Sequence, residues 1–138
     1  MNFLNTYKTE LALASLALIV HLSIFVFVIH ANGGSTLAAV RGDDGFFELA
    51  ENVLAGNGFS WSPSAPYAPN PLRTPGYSYV LAALIGIFGV AGAALVQILV
   101  ASILPPLGMR IAKRITNSRT IGIVAGTILA LDPTLALL

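Results

Sequence analysis

The chain has 138 residues, 56% of them from the set AVILMFWYC and only 9% charged, with a mean hydropathy of +0.82; soluble domains of this size carry about a quarter charged residues, so composition places it among membrane proteins. A net charge of +1, with no basic patch interleaved with aromatics, argues against a nucleic-acid partner. The chain lacks cysteine, which rules out a disulfide and a thiolate metal site.

The first apolar run, Leu11 to Ile29, approaches the about 20 residues a helix needs to cross a bilayer. Lys8 precedes it as in a signal peptide. However, the run exceeds a signal h-region of about 7–15 residues, and Ile29-His30-Ala31 lacks the small residues of a cleavage site, so an uncleaved span over 11–30 is expected. His21 lies mid-span, where an ionisable side chain is costly and turns toward protein; a neutral ring bonding a neighbouring helix is the expected role.

After residue 30 the composition changes, and residues 31–90 read as an extracytoplasmic loop. It contains the acidic pair Asp43-Asp44, after which Phe46, Phe47, Ala50, Val53 and Leu54 follow helical spacing. A short amphipathic helix over 44–55 is expected, closed by Gly56-Asn57-Gly58. One Asp caps the free N–H groups of that helix. The second is harder to explain, because adjacent carboxylates repel unless a cation, a proton or a basic group compensates. Glu48 and Glu51 read as the solvated face. The tract Phe59–Pro71 cannot sustain a helix with prolines so closely spaced, and is expected to order near the acidic pair. Arg73-Thr74-Pro75-Gly76 then opens a second short helix over 75–88, with Pro75 in the first turn, where its missing N–H costs nothing.

Apolar sequence continues from Gly89 to Leu107, and charge decides how to divide it. Arg110, Lys113, Arg114 and Arg119 form a basic cluster that marks the cytoplasmic side. If only 91–110 spans and 75–88 stays outside, this cluster and Lys8 share one side. The reading is therefore an all-α polytopic membrane protein: spans at 11–30, 91–110 and 120–138, a cytoplasmic basic loop at 111–119 and the N-terminus in the cytoplasm. The third span is still apolar at Leu138, interrupted by Asp132-Pro133, as expected of a fragment whose remaining helices belong to a larger protein.

The order of these features resembles a known family. A single N-terminal span is followed by an outer loop with an acidic pair on a short helix, a Gly-x-Gly-Phe turn, a Pro-rich stretch, Arg-Thr-Pro-Gly-Tyr opening a second short helix that ends Phe-Gly, a span, a basic loop and a span ending Asp-Pro. From about Leu11 to Pro133 the chain is similar to the N-terminal module of the GT-C glycosyltransferases, which include protein O-mannosyltransferases and aminoarabinose transferases. The resemblance implies transfer of a sugar from a polyprenyl phosphate carrier to an acceptor on the outer face of a bacterial or archaeal plasma membrane. It places Asp43, with Asp44 beside it, in the catalytic site and maps a basic residue onto Arg73; Arg73, with Arg41 second, and Tyr77 are the candidates for substrate binding, and the alternative role for either Arg is to neutralise the local acids or anionic headgroups. A carboxylate can take the acceptor hydroxyl's proton, and an Arg fork matches the leaving phosphate. Asp43 and Asp44 alone offer too few ligands to fix a divalent cation, and metal use stays open. The 138 residues by themselves are expected to be inactive, since most of the family's carrier groove is not among them. The rival reading is a small membrane subunit or transporter fragment whose acidic loop binds a partner or a cation.

Overall fold

The computed structural model describes residues 3–41 and 44–136, so Asp43 lies outside the described residues. Within them the protein is all-helical and contains no strand: α1 (Phe3–Ala31), α2 (Thr36–Arg41), α3 (Phe46–Leu54), α4 (Pro75–Ala101), α5 (Leu104–Thr116) and α6 (Arg119–Leu131), then a 3₁₀ turn at Pro133–Ala136. Two helical stretches, Tyr7–Ala31 and Pro75–Thr116, are long and apolar enough to cross a membrane. The chain forms two compact units, one from residues 1–28 and 97–138, the other from 29–96.

In the first unit, α1 buries a stripe at helical spacing, Glu10, Leu13, Ala17 and His21, while Leu11, Ile19 and Phe27 are 63–70% exposed. Polar groups face protein and large apolar ones face outward, the reverse of a water-soluble helix. α1 begins at Phe3, well before the apolar run, because Asn5 through Glu10 carry no helix breaker, and this extension brings Glu10 into the unit. α5 and α6 pack through small residues: Gly122, Gly126 and Ala130 recur every fourth position of α6 and are buried. A Cβ at Gly122 would sit 2.8 Å from the Met109 carbonyl oxygen, and one at Gly126 would sit 3.0 Å from that of Pro105 and 2.7 Å from Leu13 Cδ1. Only glycine allows this approach. The segment expected as a basic loop at 111–119 is helical as far as Thr116 and closes on Asn117 in the left-handed conformation, φ 52°. Pro105 and Pro106 supply no N–H, which separates α4 from α5 near Ser102-Ile103 and divides the run expected as one span over 91–110. α6 has 13 residues, fewer than the about 20 of a full crossing. It stops before Asp132, whose Oδ1 accepts hydrogen bonds from Thr134 N at 2.9 Å and Thr134 Oγ1 at 2.6 Å.

In the second unit, α2 was not expected. Its signal is Ser35, whose Oγ accepts from Ala38 N at 3.1 Å as an N-cap would. The core joins Ala50 of α3 to Leu81, Ala82 and Ala93 of α4, with Val53, Leu84 and Ile85 at its edge. Leu81 and Ala93 would lie about 18 Å apart along a straight helix. They share one cluster because Gly89, at φ 72° and ψ 175°, breaks the helical path between Phe88 and Val90.

Candidate functional site

The entry to α3 is built from a turn, not from a simple cap. Asp44 Oδ1 accepts a hydrogen bond from Phe46 N at 3.0 Å, the local turn that Asp side chains favour. Gly45 between them is left-handed at φ 77°. The Trp61 indole N–H donates to the Gly45 carbonyl at 2.8 Å, and a Cβ at position 45 would come 2.5 Å from that nitrogen. Both the backbone angle and the space therefore require glycine here. Trp61 is held in turn by Asn52, whose Nδ2 donates to the carbonyls of Ser60 at 2.6 Å and Ser62 at 3.1 Å. The proline-rich tract thus returns to α3, with Ser60 buried and Asn70 N bonded to the Phe59 carbonyl at 2.8 Å.

The far end of that tract supplies a cation. Asn70 Oδ1 accepts from Leu72 N and Arg73 N, which turns the chain into α4. The Arg73 guanidinium lies 5.2 Å from the centre of the Phe46 ring, and Tyr77 meets the same ring edge-on, centroids 5.1 Å apart and planes at 87°. Asp44, Phe46, Arg73 and Tyr77 are thereby gathered at the start of α3. No carboxylate among the described residues forms a salt bridge with Arg73. An aromatic ring can hold a cation while leaving its charge available to an incoming anion.

Arg41 is placed differently. Its Nε donates to Glu48 Oε1 at 2.9 Å, its Nη2 to Glu51 Oε2 at 3.2 Å, and its guanidinium sits 5.8 Å from the Phe47 ring centre. A phosphate arriving at Arg41 must compete with two carboxylates already in place. Glu48 and Glu51, expected as a solvated face, keep 33% and 47% of their side chains exposed and at the same time hold the end of α2 on α3. Glu48 Oε2 is buried with no hydrogen-bond partner among the described residues, which sequence spacing gave no means of finding.

The first unit holds a second polar cluster. Glu10 accepts both prongs of Arg110, Nε to Oε1 at 2.7 Å and Nη2 to Oε2 at 2.5 Å, and Arg119 Nη2 donates to Thr9 Oγ1 at 3.1 Å. His21 is buried and faces Asp132 at the end of α6, as expected of a ring turned toward a neighbouring helix, although neither ring nitrogen makes a hydrogen bond of standard geometry among the described residues. Among the described residues no three His, Asp or Glu side chains converge as a metal site. Family models, curated proteins and solved structures yield no match to this chain.

Proposed function

We propose that the chain is the N-terminal membrane module of a GT-C type glycosyltransferase, which moves a sugar from a polyprenyl phosphate carrier to an acceptor at the extracytoplasmic face. The observation that carries the reading is the gathering of Asp44, Arg73 and Tyr77 around Phe46, although α3 and the whole proline-rich tract separate the two ends of the site in sequence. Arg73 supplies the positive charge that eases departure of the lipid phosphate. Asp43 takes the acceptor proton as oxygen bonds to the anomeric carbon, and Asp44 fixes the turn into α3. Membrane insertion is supported by the outward-facing Leu11, Ile19, Phe27 and Ile87, each more than 60% exposed. Lys8 and the basic residues of α5 lie in the cytoplasm, the loop lies outside, and α6, too short to cross by itself, enters the membrane from the cytoplasmic side.

Carrier binding tests this assignment directly. The full chain in detergent should retain polyprenyl phosphate better than polyprenol, and Arg73→Ala should remove most of that preference. Equal binding of both lipids, or an Arg73→Ala chain that keeps the preference, refutes it. In any enzyme that contains this module, Asp43→Asn should lower sugar transfer by about 10²–10⁴ while leaving abundance unchanged, the loss typical of a general base.

A further inference from the structure

α5 presents three distinct faces. Pro105 and Met109 are buried against the unit; Leu104, Leu107, Ile111 and Ile115 form an exposed apolar stripe at helical spacing; Arg110, Lys113 and Arg114 make the third face. Beside that basic face is a groove of about 650 Å³ whose lining includes Glu10, Leu107, Arg110, Lys113, Arg114 and Asn117. Among the described residues that line the groove Glu10 is the only acid, and Arg110 neutralises it with a two-pronged bond. Lys113 and Arg114 are left as two cations, and no carboxylate among the described residues forms a salt bridge with either. The carbonyl end of a helix offers only about half a negative charge, so balancing the helix dipole does not account for both.

We infer that this groove binds the headgroup of an anionic phospholipid, with Lys113 and Arg114 on its phosphate and the acyl chains along the Leu104–Ile115 stripe. Charge complementarity selects an anion. The apolar stripe selects a lipid over a soluble phosphate: Leu107 and Arg114 are seven residues apart, two turns along the same side of α5, so headgroup and acyl chain are met side by side. Basic pockets at the cytoplasmic ends of membrane helices recognise lipid headgroups in this way. The inference shares with the transferase reading only membrane insertion, and it lies in the other unit from Arg73.

Native mass spectrometry of the full chain in detergent tests it, with phosphatidylglycerol, phosphatidylcholine of the same acyl chains, and inorganic phosphate as probes. Phosphatidylglycerol should bind more tightly than phosphatidylcholine. Each neutralised cation should weaken it about fivefold, and Lys113→Gln with Arg114→Gln about 25-fold, the phosphatidylcholine affinity staying the same. The charge-preserving pair Lys113→Arg and Arg114→Lys should keep the preference, as should Arg73→Ala, so that loss of the carrier site and loss of this one are told apart. Equal binding of the two lipids, an undiminished preference in the Gln pair, or displacement of phosphatidylglycerol by equimolar inorganic phosphate overturns the inference. Should the Gln pair lose helicity by circular dichroism, salt decides: the wild-type preference for phosphatidylglycerol must weaken as sodium chloride rises, and a salt-independent preference overturns the inference.

Discussion

Gly122→Ala isolates the close packing of α5 on α6. The new methyl would lie 2.8 Å from the Met109 carbonyl oxygen, 3.1 Å from Lys113 Cβ and 3.4 Å from Lys113 N. The nearest atom is backbone, so no side-chain rotation relieves it, and the helices must part by about half an ångström to regain ordinary contact. Overpacking of this kind costs about 1–3 kcal/mol, whereas replacing a helical Gly by Ala contributes about 1 kcal/mol in its favour. The two terms oppose, so the propensity term must be measured separately. Val124 lies on the same helix and is 53% exposed; the difference between Val124→Gly and Val124→Ala reports propensity almost alone. Unfolding of the chain in mixed detergent micelles, followed by far-ultraviolet circular dichroism, should show Ala more stable than Gly at position 124 by about 1 kcal/mol. At position 122 the same exchange should fall short of that gain by about 1–3 kcal/mol. If Ala is as favourable at 122 as at 124, Gly122 is not a packing requirement and the close approach of the helices is wrong.

Two further outcomes follow from the loop and from the charge pattern. Asn52→Ala removes the donor to the Ser60 and Ser62 carbonyls, a loss of about 1–3 kcal/mol for partly buried acceptors; because Trp61 is the only tryptophan, its emission should become more quenchable by acrylamide, and unchanged quenching would show that Asn52 does not anchor the loop. In this cysteine-free chain, Cys introduced at Ser64 and at Ser118 should react with an impermeant thiol reagent from opposite sides of the membrane; labelling of both from one side refutes the topology.

What could be read from the sequence was what depends on local chemistry. The membrane part of α1 announces itself by its apolar run, and the amphipathic α3 and the helix starting at Pro75 by apolar spacing or a starter at the boundary, whereas the extension of α1 back to Phe3 carries no such signal. α2 is not legible because six residues after Gly33-Gly34 show no periodicity, and only Ser35 signals the start. The pairings of charge were not legible at all. Glu10 and Arg110 are 100 positions apart, and nothing in either neighbourhood distinguishes a salt-bridged Glu from a juxtamembrane one. Spacing showed Arg41, Arg73 and the acids of α3 in order, yet it could not say which Arg the acids would take. The structure settles that: Glu48 and Glu51 hold Arg41, while Arg73 rests on an aromatic ring.

That division bears on function more than the presence of either residue. A cation already matched by two carboxylates gains little from a phosphate, since it must give up comparable interactions to receive it. A cation held by ring and backbone turn, with no salt bridge among the described residues, gives up less. Loop entropy runs the same way, because the Asn70 turn and the Phe46 ring have ordered Arg73 before any ligand arrives. Trp61 on Gly45 orders the opposite wall, next to Asp44. The proline-rich tract therefore connects the Arg73 turn to the Asp44 turn; under the transferase proposal, a loop substitution that frees Trp61 should weaken polyprenyl phosphate binding while leaving Arg73 itself intact.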